Sequence, residues 1–216
     1  MKSIYLRYAL LLLAGVLSTI SARADNLYST LGPNGEFDAS NGYFVDGSNY
    51  FNQVIASPFT ISTTAMMSNA MLGLNNYNGN NNPVNVYVET NAGGVPGSIL
   101  ATLTQVGTIP PFGTESLTMF TCGGTCPTLT AGTYWLVAQE TDPGTEQTWD
   151  FAFNDATNNI AFNQTGSATG PWTQFTGTDV AFQINGAPIP EPSTLLLLGT
   201  GLLGVARAAR RRRSKL

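Results

Sequence analysis

In the stretch "VNVYVET", Val84, Val86 and Val88 fall on one side of an extended chain and Asn85, Tyr87 and Glu89 on the other. That period of two marks a strand with one buried face. The same alternation recurs in "TWDFAFND", where Trp149, Phe151 and Phe153 oppose Asp150 and Asn154, and in "DVAFQIN", where Val180, Phe182 and Ile184 share a face. "GTYWLVAQE" is apolar on both sides, with Tyr134, Leu136 and Ala138 on one and Trp135 and Val137 on the other, as expected of a strand covered on both faces. Weaker strand signals lie at 61–74, 98–106, 116–122, 159–164 and 172–175. Turn-forming clusters separate them: "GPNGE", "NNYNGNNNP", "NAGGVPGS", "TDPGTE" and "GSATGP". No segment between the ends carries a capped helical period. About eight to ten short strands at this spacing predict an all-β, antiparallel β-sandwich, jelly-roll-like in layout.

The two ends follow a different pattern. Lys2 and Arg7 precede an apolar run over 8–20, and Ala22-Arg23-Ala24 supplies a small-x-small cleavage site, which predicts a secretory signal peptide over 1–24 removed by signal peptidase. At the other end the apolar run 195–206 reaches about 18 Å as a helix against about 30 Å of hydrocarbon. Pro190 and Pro192 block its extension on one side. Arg207 and the block Arg210, Arg211, Arg212 and Arg213 would hold its far end at the cytoplasmic face. A short transmembrane helix that engages the membrane transiently is the expectation.

The order Pro190-Glu191-Pro192, short apolar helix, arginine cluster resembles the PEP-CTERM sorting signal of Gram-negative bacteria that make exopolysaccharide. The resemblance implies that an exosortase recognises the Pro-Glu-Pro element and removes the tail during export, delivering the protein to the outer surface or extracellular matrix. The division it suggests is a signal peptide over 1–24, a β-sandwich domain over 25–187 and a sorting signal over 188–216. "GVPGS" and "AGTYWLVA" also resemble the extracellular β-sandwiches called choice-of-anchor domains. That resemblance implies a surface or matrix domain without catalytic residues.

Charge narrows the chemistry further. All nine Lys and Arg lie outside 25–190, the chain has no His, and twelve of its thirteen Asp and Glu lie inside, so that span carries a charge near −12. Nucleic acid is excluded as a partner, because its affinity comes largely from cations that displace counterions from phosphate. Ser-His-Asp and Cys-His catalysis, lysine nucleophiles and histidine-ligated zinc go with it. What survives is carboxylate chemistry: a glycosidase pair or an oxygen-rich Ca²⁺ site.

The densest carboxylate group is Asp142, Glu146, Asp150 and Asp155, a candidate for Ca²⁺ or, on the plainer reading, a solvated acidic edge that resists aggregation. Asp38, Asn41 and Asp46 form a looser set. No resident cofactor is expected beyond that candidate ion. Cys122 and Cys126 in "FTCGGTCPT" predict a local disulfide in an oxidising compartment, contributing about 2 kcal/mol for so small a ring. Trp172 in "GPWTQ" and Tyr77 in the asparagine-rich stretch are the aromatic side chains placed to contact a glycan. Asn163-Gln164-Thr165 is a formal glycosylation sequon. Together these features lead to an exported, non-enzymatic surface or matrix protein associated with exopolysaccharide or biofilm. A lectin-like carbohydrate-binding module comes second, and a carboxylate-only glycoside hydrolase third.

Overall fold

The computed structural model describes residues 25–78 and 84–189, with Gly199 and Gly201. Among these, fourteen strands follow one another: β1 (Asp25–Ser29), β2 (Asp38–Asp46), β3 (Val54–Ile61), β4 (Ala65–Leu72), β5 (Leu74–Asn78), β6 (Asn85–Ala92), β7 (Val95–Val106), β8 (Thr118–Cys122), β9 (Thr128–Leu129), β10 (Gly132–Gln139), β11 (Glu146–Phe151), β12 (Thr157–Asn163), β13 (Thr173–Thr178) and β14 (Phe182–Pro188). The predicted signal peptide, and the sorting tail apart from Pro188, Ile189, Gly199 and Gly201, lie outside the described residues. No helix among the described residues is long and apolar enough to cross a membrane.

One long antiparallel sheet runs β1-β14-β4-β8-β7-β6-β10-β3-β12-β13, with β9 also pairing β4, and a smaller sheet runs β2-β11-β5. The long sheet curls on itself. Phe59 of β3 meets Phe182 of β14 across the interior at 6.3 Å, and Tyr28 of β1 packs against both rings. Val45, Leu74 and Trp149 of the small sheet enter the same core. The protein is therefore an antiparallel β-sandwich, held by side chains such as Phe59, Phe120, Phe182, Leu72 and Leu136, each nearly or wholly buried. Burying each contributes about 1.5–3 kcal/mol.

The alternations place most residues as expected. Val86 and Val88 of β6 and Phe182 and Ile184 of β14 face the core. β10 is covered on both faces, with Leu136 and Ala138 in the main core and Trp135 and Val137 in a second cluster with Val54, Ala56, Ala161 and Ala168.

Three regions differ from the pattern. The run 61–74 breaks into β4 and β5 around Gly73, whose N–H donates to the Ala181 carbonyl. Part of the asparagine cluster is strand, since β5 continues to Asn78. "TWDFAFND" ends as a strand at Phe151, and Phe153–Asp155 form a 3-10 turn in which Asn154 and Asp155 adopt positive φ. β1, β2 and most of β3 carried no sequence signal. β3 contains Pro58, which usually argues against an interior strand. Its pairing with β10 continues past Pro58, but its pairing with β12 stops at Ala56. The proline sits where one neighbour has already left.

Candidate functional site

The departure of β12 from β3 opens a cleft of about 270 Å³. Pro58, Phe59 and Thr60 of β3 line it, with Thr133 and Trp135 of β10, Asn158 and Asn159 of β12, Gln174 of β13, Tyr28 of β1, and Asn91 and Gly94 at the β6–β7 turn. That turn has two central residues, Gly93 and Gly94, with φ of 70° and 100°. Both signs are positive, as a tight hairpin with right-handed strand twist requires.

Hydrogen bonds fix most of the polar side chains at the rim. Asn91 Oδ1 accepts from Gly94 N–H and from Trp135 Nε1–H, each at 3.0 Å, which pins the indole against the hairpin. Gln174 reaches across from β13 and donates its amide to the Gly94 carbonyl. Asn158 donates to Asp179 at 3.0 Å and accepts from Asn159 N–H at 2.8 Å. Asn159 Oδ1 accepts from Thr176 Oγ1 at 3.2 Å. The Thr60 and Thr133 hydroxyls lie 3.2 Å apart, so one donates to the other and the second keeps its own proton.

Behind this rim Asp179 is buried, accepting from Ser57 Oγ at 2.7 Å as well as from Asn158. Burial raises its pKa despite the hydrogen bonds that oppose the rise. Tyr28 is pushed up to about 12, first by burial and then by the Asp179 charge, so its hydroxyl stays a neutral donor. No carboxyl group lines the cleft.

The acidic residues singled out in the sequence are not brought together. Asp150 is fully buried in the middle of β11, where Asn75 donates to one oxygen and Thr148 Oγ1 to the other at 3.2 Å. Glu146 stands opposite Asp46 in the β2–β11 ladder. Asp142 receives the Gly144 N–H at 2.8 Å within its own loop, and Asp155 is exposed on the 3-10 turn. Among the described residues no group of three or more acidic or thiol side chains is arranged to hold a metal. The solvated-edge reading is corrected as well: Asp150 and Glu146 belong to a strand paired on both sides. Their pKa values rise, Asp150 to about 8, chiefly from burial, with neighbouring carboxylates a smaller cause. Asp38 and Asn41 do meet, through Asn41 Nδ2 and Asp38 Oδ2 at 2.9 Å, with Ser40 at a register irregularity near the start of β2, while Asp46 at the other end of that strand stands opposite Glu146.

Tyr77 is 51% exposed and edge-on to Phe44 and Phe112, both at 5.2 Å. Trp172 is half-buried against the Trp135 and Val137 cluster, with a buried Nε1–H that lacks a partner, so it covers the sheet instead of standing out from it. The sequon Asn163 is buried. Its amide donates to the Ser167 carbonyl at 2.8 Å while its oxygen accepts from Thr165. Cys122 and Cys126 form the expected disulfide, with Cα atoms 5.3 Å apart.

The cleft residues themselves were missed in the sequence. Trp135 reads there as core, and Asn91 as part of a turn cluster. The signal that could have marked them is the Asn-Ala-Gly-Gly order, which places an amide beside a tight hairpin next to the most apolar strand.

Residues 188–213 match the family described as the PEP-CTERM protein-sorting motif. No curated protein matches the chain. The chain thus carries the sorting signal of an exported, exosortase-processed protein of Gram-negative-type cell envelopes. Its described portion is the β-sandwich that the signal accompanies.

Proposed function

We propose that the processed protein is a non-enzymatic component of the extracellular layer that associates with exopolysaccharide at the cell surface. The observation that carries this reading is the neutral cleft of amides, hydroxyls and aromatic rings on a sandwich bearing an export signal. The hydrolase alternative needs two carboxyl groups flanking a bound sugar. Glu89, which pairs with Trp135, and Asp179 behind Asn158 are carboxyl groups adjoining the lining, but neither is part of it. That arrangement favours binding over bond cleavage.

The test is fractionation of producing cells with and without a working exosortase. The processed protein should lack peptides beyond the Pro190–Pro192 region, appear in the polysaccharide layer, and release no reducing ends from that polysaccharide. Protein that stays in the inner membrane of exosortase-proficient cells, still bearing Arg210 to Arg213, would refute the reading. So would release of reducing ends.

A further inference from the structure

We infer that the cleft between β3, β10 and β13 is a binding subsite for an uncharged sugar unit of a polysaccharide chain. The inference rests on the matrix reading above for its biological setting, but on the cleft alone for its chemistry. Its volume of about 270 Å³ falls just below the range of drug-sized small-molecule sites, about 300–1,000 Å³. That suits one ring-sized unit held while the rest of a chain runs out into solvent.

The lining selects the ligand class by what it offers and what it lacks. Half-buried Pro58 presents apolar surface, backed by the buried rings of Trp135 and Phe59, 2% and 1% exposed, and the C–H face of a sugar ring covers it. Thr60, Thr133, Asn159, Gln174 and the Tyr28 hydroxyl present donors and acceptors, matching a ring of hydroxyl groups that both give and accept protons. A wholly apolar ligand would leave those groups unpaired, at a cost for each. An anionic unit such as a uronate or phosphate finds no cation here, because 25–190 contains none, and it meets a domain charge near −12. A cationic ligand finds no carboxylate in the lining.

The site is also preorganised, which lowers the ordering cost of binding. Asn91 holds Trp135 in place, Thr176 orients Asn159, and Gln174 is tethered to the hairpin at Gly94. Gly94 is favoured there by its φ of 100°, which disfavours any side chain.

The experiment uses the processed protein recovered from producing cells and oligosaccharides made by partial hydrolysis of those cells' own extracellular polysaccharide, separated into neutral and acidic fractions. Titration is followed by calorimetry and by tryptophan fluorescence. The neutral fraction should bind saturably and the acidic fraction should not. Asn159→Ala and Gln174→Ala, both at exposed positions, should each weaken binding about tenfold, equivalent to about 1.4 kcal/mol, with unchanged melting temperature. Asn159→Asp, which adds a negative charge at the same exposed position, should weaken binding without disturbing the fold. Binding confined to the acidic fraction, no binding by either fraction, or neutral binding indifferent to both alanine substitutions would each overturn the subsite. In all three cases the protein's presence in the polysaccharide layer is scored separately, so the subsite can fail while the matrix reading stands.

Discussion

Asp46 and Glu146 stand directly opposite each other in the β2–β11 ladder, 1% and 9% exposed, in a domain that contains no Lys, Arg or His. Asp46 accepts the Gln53 N–H through one oxygen at 2.6 Å, and its other oxygen is buried without a partner. Glu89 and Glu140 likewise hold buried oxygens without a partner, and together with Asp150 and Asp179, whose oxygens are hydrogen-bonded, they are buried and have pKa values raised first by burial. Glu89 and Glu140 reach about 7 and Asp150 about 8. Because the folded pKa exceeds the unfolded one, the folded state holds more protons between them. Their stabilisation is fully present below the ordinary carboxylate range near about pH 4 and is lost as pH rises through about 7–8. Glu36 and Asp38 act in the opposite sense, since hydrogen bonds from Asn34 and from Ser40 and Asn41 lower their pKa values. Stability should therefore peak on the acidic side and decline steadily towards about pH 8, with no histidine step. Urea unfolding at about pH 4.5, 6 and 8 checks this; a midpoint highest at pH 8 would contradict it.

Glu89 is the sharpest single case, since neither carboxylate oxygen has a hydrogen-bond partner. It pairs with Trp135 on one side and Ile99 on the other. Replacing an unsatisfied buried polar group with an apolar one of similar shape removes a desolvation penalty of about 1–3 kcal/mol. Glu89→Met should raise stability by that order at pH 8 and by less at pH 5, where the native acid is already neutral. Thermal melts of the two proteins at both pH values decide it, and a destabilised variant at pH 8 would show that Glu89 has a favourable role.

Much of the sandwich was legible because alternation at period two is a local property. β6, β10 and β14 declare their buried faces through Val86, Leu136 and Phe182 without reference to the rest of the chain. β11 shows where that fails. Asp150 sits in the polar phase of its strand yet is fully buried, because β5 and β2 flank the strand and Asn75 meets its carboxyl group. Nothing within a few residues of Asp150 announces that layer. The cleft was illegible for a related reason: Tyr28, Asn91, Trp135, Asn159 and Gln174 come from five strands far apart in sequence. Trp172 looks exposed beside Gly170 and Pro171, but the second apolar cluster exists only once β3, β10 and β12 have paired.

The Cys122–Cys126 bridge closes a short loop between β8 and β9, both of which pair with β4. The chain entropy removed by so small a ring is worth about 2 kcal/mol. Both β8 and β9 are also held by backbone ladders to β4. Cys122→Ser with Cys126→Ser should lower stability by about that amount and leave the fold intact by circular dichroism. Thiol labelling of the native exported protein should find both cysteines blocked until reduction; loss of the fold in the double variant would mean that the bridge does more than pin its loop.

The last prediction concerns calcium. Asp142, Glu146, Asp150 and Asp155 are divided among a loop, two points on a strand and a 3-10 turn, and Asp150 spends both oxygens on Asn75 and Thr148. A Ca²⁺ ion wants about six to eight oxygens converging on one point, and no grouping of acids among the described residues provides that convergence. Even with its buried acids protonated the domain stays net negative, with no Lys, Arg or His in 25–190, so any salt relieves repulsion between its exposed carboxylates, within a screening length of about 8 Å at physiological ionic strength. Millimolar CaCl₂ and an ionic-strength-matched NaCl solution should therefore raise the melting temperature at pH 7 equally. A specific site would add stabilisation of RT ln(1 + [L]/Kd), about 2.7 kcal/mol at a hundredfold excess over Kd. A calcium-specific shift that Asp150→Asn abolishes would establish a site at β11. In its absence Asp150→Asn should act only as a neutral copy of the protonated acid, keeping the contacts to Asn75 and Thr148, and should raise the melting temperature more at pH 8 than at pH 5.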